Sequence, residues 1–505
     1  MIREKGFDTD LYLDAQVKKI FERVKQFDKL YLEFGGKLRF DHHASRVLPG
    51  YEVDTKVQML KQLGNDIEII HCISAKDIEG RKVRRDFGLT YEDQILKDIH
   101  DLNKIGLDVT AVVISRFNNE SSALNFKQKL ENRSIEVWIN YEIENYPNDL
   151  ELVTSDEGYG KPELVETKKP IIIITAPGPG SGKMGFAMSQ IFQERKKGVK
   201  SGFAKFETFP IWDLPVNHPV NVAYEAATAD LGDFNCVDPW HMDAYGCKAT
   251  NYNRDVENFG IMRKIIDLLA DPGDPLSSIK SPTDMGVNMA SVGIIDDKVI
   301  HKASYDEIIR RYYRYQRDFI EGATNYDTLT RMSEIMTKVS LDPTDRAVAV
   351  GANQAMQDAK NDPLKGFQGN YTGSAIEVYK EEEFIITGKN SPLLYSESAA
   401  LLNAVKFLAG IPDEIDVLSS INIKSLMSLK ENMGNSDVCL DVKEVLDTLA
   451  ISSVFNPNAA ECLEVLPQLK GCEMHSTHIM KQGCENPLKS LGVNLTMDPR
   501  LPIQL

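Results

Sequence analysis

The feature that most constrains the fold is a continuous apolar run, Ile-Ile-Ile-Ile-Thr, at residues 171–175. A strand with one face in water alternates apolar and polar residues, whereas a strand covered on both faces reads as an unbroken apolar run. A Gly/Pro-rich turn and a helical pattern follow directly at residues 176–194. The run therefore predicts a central strand of a parallel sheet, joined by a tight turn to a covering helix.

The first 165 residues alternate strand and helix patterns. The segments 55–64 and 90–106 have apolar residues spaced by three and four and end at a glycine, as amphipathic helices do. Segments rich in Ile, Val and Tyr lie around them and predict strands. These strands are 29–36, 66–74, 108–115 and 135–143. Alternation of this kind indicates an α/β fold with a mostly parallel sheet and helices on its faces.

The pattern changes twice in the rest of the chain. Residues 254–343 have helical periodicity and no convincing strand, which predicts a helical subdomain. From residue 344 a helix, a strand pair at 374–388 and a second helix indicate another α/β region. The 505 residues therefore divide into an N-terminal α/β domain with the phosphate-loop-like turn (1–253), a helical subdomain (254–343) and a C-terminal α/β domain (344–505).

Composition restricts the class of protein. The net charge of −17 argues against a nucleic-acid partner, since such a surface repels a polyanion. No apolar run approaches the roughly 20 residues that cross a bilayer, and the N-terminus carries charges of both signs, unlike a secretory signal. The seven scattered cysteines contain no CxxC pair and fit reduced thiols. We expect a cytoplasmic protein with no nucleic-acid and no membrane partner, and formation of a homo-oligomer stays open.

The turn after the apolar run resembles a phosphate-binding loop with two departures. Its glycines supply backbone N–H groups, the next helix presents its positive end, and Lys183 adds a point charge. Pro177 stands where the usual pattern has its first glycine, and Met184 stands where a Mg²⁺-binding hydroxyl is expected. Anion binding and a purely structural strand–helix connection both remain open. The candidate phosphate-binding residues are Gly178, Gly180, Ser181, Gly182 and Lys183.

A second turn suited to an anion follows the first predicted strand. It is formed by Gly35, Gly36 and Lys37, with Asp41 and two histidines close behind. Carboxyl ends of neighbouring parallel strands lie at one edge of a sheet, which is where open α/β sheets bind ligands. We therefore expect this turn and residues 178–183 to frame one pocket if their strands share a sheet.

Two polar segments supply candidates for the chemistry. The first follows a strand that we predict to end at residues 210–214, and the second is residues 233–255, where polar side chains are dense among aromatic ones. Their carboxylates and imidazoles would act as a base or as metal ligands, whereas the competing interpretation is a helix-capping, turn-rich connection. The candidate catalytic residues are Asp213, His218, Asp238, His241 and Asp243.

Four segments together carry a family resemblance. They read LYLEFGGKLRFDHHASRVLPGYE, TAPGPGSGKM, FPIWDLPVNHPVNVAYEAATADL and LGVNLTMDP. From end to end, the chain is similar to the uncharacterised bacterial family called domain of unknown function 1846 or uncharacterised protein family 0371. The resemblance implies a three-part α/β, helical and α/β architecture in a cytoplasmic bacterial protein, and it brings no activity.

The C-terminal region has a second similarity. Within residues 344–505, the strand–strand–helix pattern resembles the opening of the cytidine deaminase fold. In that fold zinc is held by a Cys or His located two residues before a glutamate and by the cysteines of a later Pro-Cys-x-x-Cys motif. Glu397 matches the glutamate, but Tyr395 replaces the ligand and no Pro-Cys-x-x-Cys follows. The resemblance implies a deaminase-like scaffold without deaminase chemistry.

These patterns leave three functional hypotheses. The leading one is a phosphotransferase-like enzyme that binds a nucleotide or another small phosphorylated molecule at the predicted pocket, with a divalent metal as an optional cofactor. The second is a non-catalytic, regulatory protein that senses a phosphorylated metabolite through the same loop. The third is a metal-dependent hydrolase that uses the Asp and His candidates.

Overall fold

The computed structural model describes residues 4–36, 38–39, 41–84 and 88–501. Within them the chain forms two compact units. The N-terminal unit contains residues 4–228 and 233–304, and the C-terminal unit contains residues 229–232 and the chain from residue 305 onward. The three-part division and its boundaries at 253 and 343 stay a prediction.

A parallel sheet organises the N-terminal unit, whose strands are β1 (Lys29–Phe34), β2 (Ile67–Ser74), β3 (Val83–Arg84), β4 (Leu89–Thr90), β5 (Val109–Phe117), β6 (Glu136–Tyr141), β7 (Ile171–Thr175), β8 (Ser201–Phe206), β9 (Asn235–Val237), β10 (Thr250–Tyr252) and β11 (Gly286–Val287). Seven of these strands form one sheet in the order β11-β8-β1-β7-β2-β5-β6. Every neighbouring pair in it is parallel. The remaining strands form two short antiparallel pairs, β3 with β4 and β9 with β10. The predicted α/β fold with a mostly parallel sheet is confirmed.

The helices of this unit are α1 (Thr9–Val24), α2 (His42–Val47), α3 (Thr55–Leu63), α4 (Ala75–Glu79), α5 (Tyr91–Asn103), α6 (Ser121–Glu131), α7 (Leu150–Val153), α8 (Lys183–Lys196), α9 (Pro219–Ala227), α10 (Pro239–Tyr245), α11 (Asn253–Leu269) and α12 (Pro282–Met285). Short 3₁₀ turns lie at Gly64–Asp66, Pro275–Ser278 and Ala290–Gly293. The Ile-rich strand β7 lies between β1 and β2, and residues 171–174 are fully buried, as expected for the centre of a parallel sheet.

Two sequence predictions for this unit are wrong. Strand β8 ends at Phe206 and not at residues 210–214, because Pro210 and Pro215 have no N–H group for a sheet ladder. The region predicted to be helical also contributes a strand, since Gly286–Val287 pairs with residues 205–206 at the edge of the sheet. A strand of two residues is too short to show the alternation from which strands are predicted.

The C-terminal unit is built around a small mixed sheet, and its strands are β12 (Gly373–Tyr379), β13 (Glu383–Lys389), β14 (Glu473–Ser476) and β15 (Asn494–Met497). Their order is β13-β12-β14-β15, with β12 antiparallel to both neighbours and β14 parallel to β15. The predicted C-terminal α/β region is therefore confirmed, and its resemblance to a deaminase scaffold stays a prediction.

The remaining helices are α13 (Asp297–Ile320), α14 (Tyr326–Lys338), α15 (Ala347–Lys360), α16 (Ser396–Ala409), α17 (Ser420–Asn432), α18 (Val442–Ser452), α19 (Pro457–Glu464) and α20 (Gln482–Ser490). Further 3₁₀ turns lie at Ala229–Leu231, Pro343–Asp345 and Leu466–Leu469. None of the helices in the described part of the chain combines the length and the apolar character that crossing a membrane requires.

Candidate functional site

The loops that follow β1, β7 and β8 lie at one edge of the large sheet. Strand β1 is paired in parallel with β7 on one side and with β8 on the other, so the three carboxyl ends are neighbours. This arrangement places the turns at residues 35–36 and 176–182 side by side, at the edge where open α/β sheets bind ligands. We define the sheet-edge site as the side chains of Glu33, Lys183, Lys205, Glu207, Tyr252 and Asp255.

The glycine-rich turn has a fixed shape. Gly180 and Gly182 have φ values of 75° and 80°, in the left-handed region that favours glycine. The Ser181 hydroxyl donates to the Gly178 carbonyl oxygen at 2.8 Å, and the Ser115 hydroxyl donates to the Ser181 carbonyl oxygen at 2.8 Å. A Cβ atom at Gly182 would lie 2.4 Å from the Ser115 Oγ. These constraints would suit a purely structural turn as well, so the anion hypothesis depends on the groups around it.

Helix α8 begins at Lys183 with its first N–H groups unbonded. No side chain caps it, and in the described part of the chain no acceptor pairs with the backbone N–H groups of residues 180–185. The Lys183 ammonium lies 3.5 Å from the Glu33 Oε1, and only 13% and 15% of the two side chains are exposed. Among the described atoms, the buried Oε2 of Glu33 has no hydrogen-bond partner. The turn thus combines N–H donors, a mostly buried cation and a carboxylate oxygen that can take another ligand.

A second ion pair lies on the β8 side of the site. The Lys205 ammonium donates to both carboxylate oxygens of Asp255, at 2.7 and 2.6 Å, and the two side chains are 7% and 13% exposed. Burial alone would lower the pKa of Lys205, but the neighbouring carboxylates, that of Asp255 first, raise it above its ordinary value. Lys205 is therefore charged at neutral pH, and Asp255 balances this charge.

Glu207 is the group of this site that titrates near neutral pH. The Tyr252 hydroxyl donates to the Glu207 Oε1 at 2.6 Å. Burial raises the pKa of Glu207 to about 7 in spite of the nearby Lys205 ammonium. A carboxyl that is half protonated near neutral pH can both give and take a proton, which is what a general acid–base must do.

A buried histidine lies on the β2 side of the glycine-rich turn. His71 is the strand partner of Thr175, the last residue of β7, and is 1% exposed. Neither ring nitrogen has a hydrogen-bond partner among the described residues, although the Asp98 Oδ2 is 3.7 Å from Nε2. Burial and then the Lys183 ammonium lower the pKa of His71 to about 3. His71 is therefore neutral at physiological pH, and the cations beside the turn are Lys183 and Arg116, whose guanidinium donates to the Gly180 carbonyl oxygen.

The second turn is anchored by a lysine that no motif marks. Lys56 on α3 donates to the Gly35 carbonyl oxygen at 3.1 Å and lies 2.9 Å from the Asp41 Oδ2, with 3% of its side chain exposed. Burial alone would raise the pKa of Asp41, but Lys56 lowers it below its ordinary value. Gly36 has a φ of 66°, and Lys37 lies outside the described residues. A role of this turn in ligand binding stays a prediction.

Asp213 and His218 contact side chains outside the sheet-edge site. The Ser291 hydroxyl donates to the Asp213 Oδ2 at 2.6 Å. The His218 Nε2 lies 3.0 Å from the Asp297 Oδ1 and 3.2 Å from the His301 Nε2. Among the described residues, His218, Asp297 and His301 are the one set of three ligand atoms that lie close enough together to hold a metal ion.

The hydrogen bonding of His218 does not favour a metal there. The backbone N–H of Val220 donates to the His218 Nδ1 at 3.3 Å, which makes His218 the N-cap of α9. In neutral His218 the proton therefore sits on Nε2, the atom that a metal would need. We interpret this set as a hydrogen-bonded helix cap.

Asp238, His241 and Asp243 do not form a metal-binding group in the described part of the chain. Asp238 is fully buried and caps α10, because its Oδ1 accepts the His241 backbone N–H at 3.1 Å and its Oδ2 accepts the Thr283 hydroxyl at 2.7 Å. The His241 Nδ1 lies 3.0 Å from the Ser281 Oγ, and Asp243 is exposed. Because the helix cap occupies Oδ1 of Asp238 and the bond from Thr283 occupies Oδ2, the structure favours the helix-capping, turn-rich interpretation of this segment.

Comparison with known proteins shows the family. Residues 5–340 match "Domain of unknown function DUF1846, N-terminal", and residues 344–504 match its C-terminal counterpart. The chain belongs to this family. It is 44% identical over 500 residues to a UPF0371 protein of Clostridioides difficile (strain 630), covering 99% of this chain and 98% of that protein.

Two further relatives agree over nearly their whole length. A UPF0371 protein of Clostridium tetani (strain Massachusetts / E88) is 44% identical over 498 residues, covering 98% of both chains. A UPF0371 protein of Fusobacterium nucleatum subsp. nucleatum is 43% identical over 506 residues, covering 99% of this chain and 98% of that protein. These names state no activity for the relatives of this DUF1846 member.

Of the six residues of the sheet-edge site, the sequence motifs predict only Lys183. One signal was present: Glu33 and Lys205 are charged residues inside the apolar strands LYLEF and GFAKF. A charge in a strand that is covered on both faces must be paired, and the two residues are register partners on β1 and β8. Glu207 and Asp255 carry no comparable signal, since their importance depends on long-range packing.

Proposed function

We propose that this protein is a phosphotransferase-like enzyme that holds the phosphate group of a small molecule, such as a nucleotide, at the sheet-edge site. The observation that carries the proposal is the position of Lys183, a mostly buried cation at the first residue of α8, next to unbonded N–H groups and the free oxygen of Glu33. The backbone cradle for the phosphate is formed by Gly178, Gly180, Ser181 and Gly182.

The electrostatics of the turn suit an anion that arrives with a cation. Unbonded N–H groups and the positive end of α8 attract a phosphate. Lys183 already faces Glu33, so a phosphate dianion alone would leave excess negative charge. Mg²⁺ is usually held by one or two carboxylates together with substrate phosphates. Glu33 would therefore replace the metal-binding hydroxyl of the usual loop, which Met184 cannot provide.

Glu207 supplies the proton transfer. Phosphoryl transfer requires positioning, neutralisation of charge and a group that accepts the proton of the attacking hydroxyl. The pKa of about 7 suits Glu207 to that task at neutral pH, and the hydrogen bond from Tyr252 fixes one of its oxygens. Lys205, held by Asp255, provides a fixed positive charge beside it.

The alternative is a protein that binds the same ligands without turnover. The two functions differ in what Glu207 does, because a pure binding protein has no use for a group that exchanges protons. If the protein is an enzyme, wild type turns over its ligand, and Glu207→Gln still binds the ligand but does not turn it over. If the protein only binds ligands, wild type itself shows no turnover of any ligand that it binds.

A thermal-shift screen of the purified chain against nucleotides, sugar phosphates and inorganic phosphate, with and without Mg²⁺, tests the proposal. A ligand at about 100 times its dissociation constant should stabilise the protein by about 2.7 kcal/mol. We expect a shift from one class of phosphorylated compound that Mg²⁺ increases and Lys183→Met abolishes. The matched control is Lys196→Met, because Lys196 is half-exposed at the other end of α8. Equal shifts in Lys183→Met and wild type would contradict the proposal.

A further inference from the structure

The C-terminal unit contains a cavity of about 190 Å³. Its wall is largely apolar and includes Met356, Phe367, Tyr371 and Leu394. Other lining residues precede α16 and α18 and follow β14 and β15. An engineered cavity of about 150 Å³ with apolar walls holds one benzene molecule. The cavity therefore has room for a single substituted six-membered ring.

One side of the cavity is held in place by a buried polar network. His478 lines the cavity, and its Nε2 lies 3.2 Å from the Glu397 Oε1 while its Nδ1 lies 3.1 Å from the Ser476 Oγ. Glu397 is fully buried and also accepts the hydroxyls of Ser476 and Ser396, each at 3.2 Å. Both ring nitrogens of His478 are occupied, so the orientation of the ring is fixed and this wall is preformed.

A lysine contributes positive charge to the cavity lining. The Lys481 ammonium donates to the Tyr395 hydroxyl oxygen at 2.6 Å and to the Asp437 Oδ2 at 2.5 Å. An ammonium has three N–H donors, so one remains for a ligand. Burial alone would raise the pKa of Asp437, but Lys481 lowers it below its ordinary value, which keeps this carboxylate ionised.

An arginine adds a second positive charge. Arg500 lines the same cavity, and its guanidinium is 3.8 Å from the Asp498 Oδ2. This separation is too long for a hydrogen bond, and the contact from Nη1 to the Met356 Sδ at 3.8 Å leaves other guanidinium donors for a ligand. Among the described residues, Asp437 is the one carboxylate in the lining beside these two cations, and Asp498, which also contacts His475, lies outside the lining, so the free donors of Lys481 and Arg500 suit a ligand with one negative charge.

We propose that this cavity is a second ligand site, which binds a planar monoanion made of one aromatic ring and one carboxylate. The ring packs among Phe367, Tyr371 and Leu394, and the carboxylate meets Lys481 and Arg500, whose planar fork matches a carboxylate. The lining belongs entirely to the C-terminal unit, so this site is independent of the phosphate-binding function.

Isothermal titration of the full chain with benzoate, and with benzyl alcohol as the uncharged probe, tests the proposal. We expect saturable binding of benzoate with one site per chain, and binding of benzyl alcohol at least tenfold weaker, a difference of about 1.4 kcal/mol. Lys481→Met and Arg500→Gln should each weaken benzoate binding at least tenfold. Two controls should leave it unchanged: Lys489→Met, at an exposed position of α20, and Lys183→Met in the N-terminal unit.

Three results would each overturn the proposal: no saturable binding of benzoate, equal affinity for the two probes, or wild-type affinity for benzoate in both Lys481→Met and Arg500→Gln. Arg500 is 59% exposed, so Arg500→Gln is expected to fold even if Lys481→Met does not. The two proposals fail separately, because Lys183→Met acts on phosphate binding alone and Arg500→Gln on benzoate binding alone.

Discussion

Replacing Glu207 with glutamine should stabilise the protein at alkaline pH and leave its stability at acidic pH nearly unchanged. Burial raises the pKa of Glu207 from 4.5 to about 7. The folded chain thus binds this proton more tightly than the unfolded chain does. The stability that the proton contributes is complete below about pH 4.5 and is lost as the pH rises through about 7. At about 1.4 kcal/mol per pKa unit, the loss is roughly 3 kcal/mol.

The assay is thermal unfolding of wild type and Glu207→Gln, recorded in parallel between about pH 5 and about pH 8. Glutamine keeps an oxygen that can accept the Tyr252 hydroxyl and cannot ionise. Because the chain has two units, its unfolding need not be a single two-state transition. The measured quantity is therefore the midpoint of Glu207→Gln minus the midpoint of wild type at each pH. This difference should rise by several degrees, since 1 kcal/mol shifts the midpoint of a large domain by about 2–4 °C.

A midpoint difference that stays constant over this pH range would refute the raised pKa of Glu207 and, with it, the role of Glu207 as a general acid–base. Glu157→Gln is the matched control, because Glu157 is exposed. Its midpoint should follow that of wild type at every pH.

Three further perturbations test other parts of the site. Asp255→Asn leaves the Lys205 ammonium without its two carboxylate contacts and should lower the free energy of unfolding by about 3 kcal/mol, measured by denaturant unfolding at neutral pH. A denaturant midpoint equal to that of wild type would contradict the buried ion pair. His71 has a pKa of about 3, so its contribution to stability falls by about 2 kcal/mol as the pH falls from about 6.5 to about 5. Because the contribution of Glu207 rises over the same range, the effect is measured as the difference in stability between wild type and His71→Leu, which should fall by that amount; parallel pH curves for the two proteins would argue against it. Gly182→Ala should lower the melting temperature and abolish phosphate binding. Ser115→Gly, which removes both the Oγ and the Cβ that the new side chain would meet at 2.4 and 2.6 Å, should not restore either, because the left-handed φ remains; full rescue would show that only the steric contact matters.

The parts of the fold that the sequence predicts are those with a long local signal. The apolar run of β7, the alternating segments before it and the helices at 55–64 and 90–106 each extend over enough residues for their periodicity to be unambiguous. The two-residue strand β11 has no such signal, and it forms because Gly286–Val287 finds an edge next to β8. Long-range pairing of this kind depends on the folded chain and cannot be read from a local window.

The same distinction holds for the candidate site. The glycine-rich turn and Lys183 are contiguous in sequence, so a motif can indicate them. Glu207 and Asp255 are separated along the chain and acquire their properties only because folding buries them beside Lys205. The density of polar residues at 233–255 is a weaker indication of a functional site, because the structure explains Asp238 as the N-cap of α10.

We propose that Lys183 and the glycine-rich turn hold a phosphate group. Isothermal titration measures this binding on wild type, Lys183→Met and Lys196→Met, with the phosphorylated compound that stabilises wild type most and in the presence of Mg²⁺. We expect a dissociation constant at least tenfold higher for Lys183→Met, a loss of about 1.4 kcal/mol, and an unchanged value for Lys196→Met. The same dissociation constant in all three proteins would contradict phosphate binding at Lys183.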